Sequence, residues 1–225
     1  SKNMNSLAKK ASGEILLIIN DDIVLDPNTI DYGLNSLNSN FKIGIVTGKL
    51  RFENGLMQHM GISFGINNNP YHKFKKLINS NSDLIPRNQQ VVSGTTGALF
   101  FIKKDLFIDI GFNENYEVCG EDIELSLDIR ERDLDILFCP NVSGIHLSSE
   151  TRKQNNQYGN TFSDIKRMQK RRLKFLNQAS KRQLLLELKD LQGEIVLFKE
   201  LQKMRKIKNL IKFFLKSTLK KIFHF

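Results

Sequence analysis

The clearest hydrophobic run in the chain lies near its start. Five consecutive aliphatic residues, Ile15 to Ile19, lead directly into Asn20, Asp21 and Asp22. A short unbroken apolar run predicts a strand buried on both faces of a parallel sheet. Because ligands of such sheets bind beyond the carboxyl ends of the strands, a hard divalent cation could there relieve the repulsion between Asp21 and Asp22. A turn is the alternative, since Asn and Asp are favoured turn residues.

Further patterns along the first half predict alternating helices and strands. Residues 2–12 and 26–37 have helical patterns, and Ile43 to Val46 form a second apolar run. The Asn54-Gly55 pair between two strand-like segments predicts a hairpin. Residues 66–90 are rich in Asn, Ser, Pro and Lys, which predicts a mobile surface loop or lid.

A second stretch with potential chemistry runs from Ser93 to Ala98 and precedes an apolar strand. Gly94 and Gly97 lie three residues apart, which would let the backbone approach a ligand closely. A bulge at a sheet edge is the alternative interpretation. Further along, the pattern predicts a partly buried helix over residues 121–132. Glu121 and Asp122 occupy its first turn, where acidic side chains also complement the helix dipole.

The globular pattern ends with two short predicted strands at 136–138 and 142–145, followed by His146, and a lone histidine in such a place is usually structural. Beyond Ser149, helical patterns cover 161–178, 181–203 and 205–223. In the second of these, apolar residues spaced four and three apart cover only two heptads, so we expect packing onto the globular part or a neighbouring helix. The members of this apolar stripe are Leu184, Leu188, Leu191, Ile195 and Phe198.

Charge is divided unevenly between the two parts of the chain. Residues 1–150 have a net charge of −5 and residues 151–225 a net charge of +15, which together give the overall +10. A basic tail indicates a polyanionic partner. We favour a membrane surface over nucleic acid, because the tail has no nucleic-acid recognition motif and its lysines alternate with a wide apolar face.

The basic tail has the pattern of an interfacial helix, and other features bound the class of protein. Residues 204–225 combine an apolar stripe with lysines on the flank and opposite face, as in helices that lie on anionic lipid. Cys119 and Cys139 form neither a CxxC pair nor a metal-ligand cluster, which indicates reduced core thiols in a cytosolic setting. The sequence contains no apolar run of membrane-spanning length and no signal peptide.

Several motifs, taken in order, resemble those of a family 2 glycosyltransferase with the GT-A fold. The resemblance covers roughly residues 3–150, and it rests on the combination because each motif is weak alone. The matching segments are Asn5 with Ala11 to Glu14, Ile18 to Asp22, Leu50 to Gly61 with Gly55, Gln58 and His59, Ser93 to Ala98, Gly111 to Glu114, Gly120 to Leu125, and Pro140 to His146.

The resemblance implies a role for each motif. Asp122 would be the catalytic base that takes the acceptor proton, with Glu121 beside it. Asp22, with Asn20 or Asp21 and with His146 as a possible third ligand, would hold Mg²⁺ or Mn²⁺ on the donor diphosphate. The remaining donor contacts would come from Asn20, Asp21, Gly94 and Gly97. With this resemblance, a metal site is favoured over a turn at Asp22, and a base over a helix-end charge at Asp122.

The fold class implied is α/β, with a partial GT-A core over 1–150 and a basic helical extension over 151–225. The family's first βα units are absent, so we expect an N-terminally truncated domain that binds its donor poorly alone. The implied activity is inverting transfer from a nucleotide-sugar donor to a saccharide or lipid-linked acceptor in cell-surface polysaccharide synthesis. The implied location is cytoplasmic, peripheral on the inner face of the cell membrane. The alternative is a non-catalytic binding or scaffold module at the membrane.

Overall fold

The computed structural model describes residues 1–65, 67–147 and 161–222, and the side chains in these ranges except at 161 and 209–222. The strands are β1 (Ile15–Ile19), β2 (Ile23–Leu25), β3 (Ile43–Arg51), β4 (Met57–His59), β5 (Ile62–Phe64), β6 (Pro70–His72), β7 (Gln90–Val92), β8 (Leu99–Lys103) and β9 (Asp135–His146). The helices are α1 (Lys2–Lys10), α2 (Thr29–Asn38), α3 (Lys104–Ile110), α4 (Glu121–Glu131), α5 (Thr161–Gln178) and α6 (Lys181–Ile222). The predicted helices over 2–12, 26–37 and 121–132 are confirmed.

A seven-stranded mixed sheet forms the centre of the fold. Its main path runs β1-β8-β3-β9-β2, with β4 paired to β3 and β7 paired to β9. Strands β5 and β6 form a separate two-stranded sheet. The predicted α/β class is therefore confirmed, and the sheet brings the ends of β1, β2 and β9 to one region.

The direction predicted for β1 is wrong. Its neighbour β8 runs antiparallel to it, from Ile15 opposite Lys103 to Ile19 opposite Leu99. The predicted burial of β1 is largely confirmed. Leu16 and Ile18 are buried, and the other three residues are partly buried and pack against the core. A continuous apolar run reports burial on both faces, and it carries no information about the direction of the neighbouring strand.

The two strands predicted around Pro140 are one strand in the structure. Strand β9 runs parallel to β3, with a register irregularity between Thr47 and Lys49. Proline cannot donate a hydrogen bond to the ladder, and the sheet accommodates Pro140 at this irregularity. As a result, one strand extends from the centre of the sheet to His146.

The described part of segment 66–90 contains paired and buried residues, while its predicted role as a mobile lid stays a prediction. Strand β6 pairs with β5, and the backbone N–H groups of Met57 and Lys76 each bond to a carbonyl across the 57–78 region. Phe74 and Ile78 are buried, with exposed fractions of 4% and 5%. Composition predicted a polar surface loop, but a few apolar side chains are enough to pack the segment onto the sheet.

Two compact units divide the chain, Ser1–Asp190 and Leu191–Phe225. The predicted domain boundary at residue 150 lies outside the described residues, and the first unit continues beyond it through α5 into the start of α6. Ionic contacts explain this extension: Arg171 bonds to Asp128 and Glu131 of α4.

Helix α6 replaces the two predicted helices over 181–203 and 205–223. All five residues of its predicted apolar stripe are exposed, between 37% for Leu184 and 51% for Leu188, so the expected burial of this stripe is wrong. None of the described helices is both long enough and apolar enough to cross a membrane. The side chains of the predicted interfacial helix beyond residue 208 lie outside the described residues.

Candidate active site

Asp22 and His146 form the first half of the candidate site. Asp22 follows β1 and precedes β2, which pairs with the end of β9 so that Ile23 lies opposite His146. The Leu147 N–H donates to the Asp22 carbonyl at 2.9 Å. His146 Nε2 lies 2.9 Å from Asp22 Oδ1. The structure therefore brings two of the three predicted metal ligands together.

The other ring nitrogen of His146 is also occupied. His146 Nδ1 lies 2.8 Å from Gln58 Oε1. Gln58 belongs to β4, and the sequence analysis named it only within a motif. A hydrogen bond of this kind orients an imidazole ring, and sequence reasoning did not predict this contact of Gln58.

Asn20 and Asp21 lie in the turn between β1 and β2, and both are exposed. The Asn20 N–H donates to the Ala98 carbonyl at 3.0 Å, and the Asn20 carbonyl accepts from the Ile23 N–H at 3.3 Å. Asp21 does not join Asp22 and His146: within the described ranges, no three acidic, His or Cys side chains are grouped closely enough to hold a metal. The backbone at Asn20 therefore forms a turn, which was the alternative interpretation. The side chains of Asp22 and His146 lie together as a pair.

A divalent cation fits this pair of side chains. Their 2.9 Å separation is close to the edge of an octahedral coordination sphere, which is about 3 Å for bonds of ~2.1 Å. Two protein ligands suit a cation that completes its coordination with water and substrate phosphates, as Mg²⁺ does. The imidazole nitrogen favours Mn²⁺ over Mg²⁺, because Mg²⁺ prefers oxygen ligands.

Asp122 forms the second half of the site, in the first turn of α4. Its Oδ2 accepts a hydrogen bond from the Gly97 N–H and its Oδ1 from the Ile123 N–H, both at 2.8 Å. Burial raises the pKa of Asp122 to about 6, and the nearby Glu121 carboxylate adds to the increase, while the backbone donors oppose it. A carboxylate with a pKa near the working pH is suited to general-base catalysis.

The loop from Ser93 to Ala98 is held against α4. The Thr95 N–H donates to Ser126 Oγ at 3.1 Å, and Ser126 Oγ donates to the Asp122 carbonyl at 2.7 Å. A Cβ added at Gly97 would lie 3.4 Å from the Cβ of Asp122. The glycine spacing noted in the sequence therefore allows close approach to Asp122, a protein side chain.

A glycine with positive φ also sets the entry to α4. Gly120 has φ +115°, and a Cβ there would lie 2.6 Å from Met168 and 2.7 Å from Tyr116. Downstream, the Tyr116 hydroxyl and the Asn113 amide donate to Glu124 at 2.7 and 2.9 Å. These contacts fix the first turn that presents Glu121 and Asp122.

Two buried aspartates from the C-terminal helices support the site, and sequence reasoning missed both. Asp164 of α5 accepts hydrogen bonds from three consecutive backbone N–H groups, those of residues 117–119 just before α4. Asp190 of α6 accepts from the N–H and hydroxyl of Ser93, at 3.1 and 2.9 Å. Each aspartate is distant in sequence from its partners, so no local pattern marks it.

A cavity of about 350 Å³ lies away from these residues. It is lined by Lys49, residues 80–83 and 85–87, Pro140 and Asn141. None of the predicted site residues contributes to its lining. We therefore assign the candidate site from side-chain chemistry rather than from cavity size.

Two sequence relatives each match about two thirds of this chain. No protein-family model matches the chain. The chain is 32% identical over 155 residues to the O-antigen biosynthesis protein RfbC of Myxococcus xanthus, a match that covers 66% of this chain and 12% of that protein. It is 27% identical over 153 residues to the uncharacterized protein y4gI of Sinorhizobium fredii, covering 66% of this chain and 17% of that protein. The chain thus spans less than a fifth of either relative.

A solved structure has the same architecture. The crystal structure of GalNAc-T7 with UDP, GalNAc and Mn²⁺ matches with a TM-score of 0.50 and 16% identity, covering 64% of this chain and 30% of that chain. At this identity the match establishes the architecture alone. With its mixed sheet and helical C-terminal part, the chain has the GT-A fold of glycosyltransferases.

Proposed function

We propose that this chain forms the catalytic part of an inverting, metal-dependent glycosyltransferase of family 2 type. The donor is a nucleotide-diphosphate sugar, and the acceptor is a saccharide or a lipid-linked saccharide in cell-surface polysaccharide synthesis. The relationship to RfbC, an O-antigen biosynthesis protein, and the GT-A fold support this proposal.

One juxtaposition carries the proposal. The Asn20 N–H bonds to the Ala98 carbonyl, and the adjacent Gly97 N–H bonds to Asp122. Asp22 follows on the other side of the same turn, paired with His146. An Asp–His pair suited to a cation and a buried carboxylate suited to a base therefore lie at the same end of β1.

Each residue has a separate role in the proposed sugar transfer. Asp122 accepts the proton of the acceptor hydroxyl as its oxygen bonds to the anomeric carbon of the donor. The bond between that carbon and the diphosphate oxygen breaks in the same displacement, which inverts the anomeric configuration. Asp22 and His146 would hold a divalent cation, whose positive charge would stabilise the departing diphosphate. Asn20, Asp21, Gly94 and Gly97 complete the donor side of the site.

Replacing Asp22 tests the proposed metal site. We expect Asp22→Ala to weaken both Mn²⁺ binding and Mn²⁺-dependent donor binding. Loss of an outer-shell partner typically weakens metal binding about 10- to 100-fold, and loss of a direct ligand should have a larger effect. Titration of Mn²⁺ followed by electron paramagnetic resonance measures the first, and donor calorimetry measures the second. Asp83→Ala is the matched control, because Asp83 is 94% exposed and pairs only loosely with Arg87. Equal Mn²⁺ affinity in the two variants would contradict the metal site.

We also propose that residues 204–225 bind an anionic membrane surface. Met204 and Ile207 are 42% and 55% exposed, and eight basic residues follow Gln202 with no acidic residue among them. Each basic group near an anionic surface contributes about 1 kcal/mol, and the apolar stripe adds burial in the interface. Such binding would hold the enzyme at the cytoplasmic face of the membrane, beside the lipid-linked acceptor that we propose.

Co-sedimentation with vesicles tests this membrane proposal. We expect the full chain to sediment with vesicles that contain anionic lipid and to be released by salt, because charge attraction is screened. A chain ending at Gln202 should remain in solution. Vesicles of neutral lipid are the control for the apolar contribution. Equal sedimentation of both chains with anionic vesicles would exclude 204–225 as the anchor.

A further inference from the structure

Gln58 occupies an irregular position in the sheet. In the antiparallel pair of β3 and β4, Leu50 lies opposite His59 and Arg51 lies opposite Met57. Gln58 is therefore an additional residue on β4, which is the definition of a β-bulge. Bulges occur beside active sites, where they redirect a side chain. Met57 and His59 are both buried, at 0% and 1% exposure, and Gln58 between them contacts His146.

The contact with Gln58 determines whether Nε2 of His146 faces Asp22 with a lone pair or with a hydrogen. A neutral imidazole has one N–H donor and one acceptor nitrogen. Gln58 Oε1 lies 2.8 Å from Nδ1 and as an acceptor pairs with an Nδ1–H donor, so in the neutral ring the lone pair is left on Nε2, 2.9 Å from Asp22 Oδ1. Two acceptors that face each other repel, and either a proton on Nε2 or a metal cation between them removes the repulsion.

The opposite amide orientation would give a different site. If the Gln58 NH₂ group donated to Nδ1, the hydrogen would lie on Nε2 and bond directly to Asp22. His146 would then be satisfied without a cation, and the bond to Asp22 would have to break before metal binding. The orientation of one amide thus separates a site prepared for a cation from a closed His–Asp pair.

We propose that Gln58 is a positioning residue that holds His146 as the Nδ1–H tautomer, so that Nε2 and Asp22 are directed at the same cation. This inference rests on the proposed metal site. It extends that site by a residue outside the predicted ligands and assigns the atom of His146 that binds the metal. The bulge in β4 is the feature that makes the contact possible, because it directs Gln58 toward the end of β9.

The test uses two substitutions with different hydrogen-bonding capacity. Gln58→Met keeps the length of the side chain and removes both the acceptor and the donor, whereas Gln58→Glu keeps only acceptor oxygens. Nitrogen-15 NMR of the histidine rings in the metal-free full chain reports the tautomer of His146. We expect the Nδ1–H tautomer in the wild-type chain and in Gln58→Glu, and a mixture or the Nε2–H tautomer in Gln58→Met.

Mn²⁺ affinity gives a second measurement on the same proteins. We expect Gln58→Met to bind Mn²⁺ about 10- to 100-fold more weakly, the usual effect of losing an outer-shell partner, and Gln58→Glu to bind at least as tightly as wild type. Gln89→Met is the control for loss of a glutamine elsewhere, since Gln89 bonds to Ser36.

The possible outcomes separate the inference from the proposed function. Equal loss in Gln58→Met and Gln58→Glu would show that the amide donates, which overturns the inference. An unchanged His146 tautomer in Gln58→Met would also overturn it. If the wild-type chain bound no Mn²⁺, the proposed metal site would fail, while the tautomer in the metal-free chain would still decide the role of Gln58.

Discussion

Asp122→Asn is expected to lower turnover by about 10²-fold or more while leaving donor affinity unchanged, because the change removes a general base and keeps the shape of the side chain. Turnover and donor titration of the full-length protein measure the two effects separately. Asp105→Asn is the matched control: Asp105 is an exposed aspartate in the first turn of α3, so it tests the contribution of an acidic group at a helix N-terminus alone. Similar losses in both variants would contradict the assignment of Asp122 as base.

The pH dependence of the reaction follows from the same residue. Because the pKa of Asp122 is about 6, its carboxylate form is lost as the pH falls through that value, and kcat/KM should fall with it. Above this pH the profile should level off, and in Asp122→Asn the slope near pH 6 should disappear.

Folding stability should change with pH in the opposite direction to activity, so that it decreases as the pH rises towards the pKa of Asp122. The pKa of Asp122 in the folded chain is higher than its ordinary value of 3.8, so loss of its proton opposes folding at neutral pH. The stability of the wild-type chain relative to Asp122→Asn should therefore decrease as the pH rises from 3.8 to about 6. The variant also leaves one of the two backbone N–H groups that bond to the carboxylate without an acceptor, so thermal unfolding of both proteins across this pH range measures the contribution of the charge. A relative stability that did not change with pH would contradict the burial of the charge.

Asp190→Ala is expected to destabilise the protein by about 3–5 kcal/mol, the usual cost of removing one partner of a buried ion pair. The side chains of Lys73 and Asp190 are only 6% and 4% exposed and form an ion pair. Asp190 also accepts both hydrogen bonds from Ser93. The variant leaves a buried ammonium group and two buried donors without their acceptor. Thermal unfolding should show a decrease in Tm of roughly 6–20 °C for a chain of this size.

Two further variants distinguish the lost ion pair from other effects of the substitution. Glu200→Ala removes a pair with Lys203 whose side chains are 46% and 68% exposed, and it should change stability by less than about 1 kcal/mol. The double variant Lys73→Met with Asp190→Leu removes both charges and should recover much of the loss, because apolar replacement of a buried pair is often tolerated. A double variant no more stable than Asp190→Ala would indicate that the Ser93 hydrogen bonds dominate.

The Asp190 contact also connects stability with the active site. Ser93 begins the loop from Ser93 to Ala98, in which the Gly97 N–H bonds to Asp122. The last turn of α4 contacts the same loop through Arg130, which is 2% exposed and bonds to the Ser93 carbonyl and to Glu187 at 3.3 and 2.8 Å. The start of α6 thus supports the loop that orients the proposed base.

Local patterns in the sequence were sufficient for several parts of this protein. The apolar run before Asp22, the first turn of α4 with Glu121 and Asp122, and the Asn54-Gly55 hairpin were all located correctly. Each is determined by neighbours within a few residues: burial of a short run, helix-end chemistry, or the positive φ of Gly55, which is +78°. Such features depend on intrinsic backbone and side-chain preferences, so one sequence is enough to find them.

The tertiary structure alone decided how these parts meet. The contact of His146 with Asp22, at 2.9 Å, depended on β2 pairing with the end of β9. The direction of β1, the bulge at Gln58 and the buried contacts of Asp164 and Asp190 likewise depend on partners far along the chain. Hydrophobic periodicity records which face of an element is buried, but it does not record what covers that face. The partners of a buried charge are therefore visible only once the chain is folded.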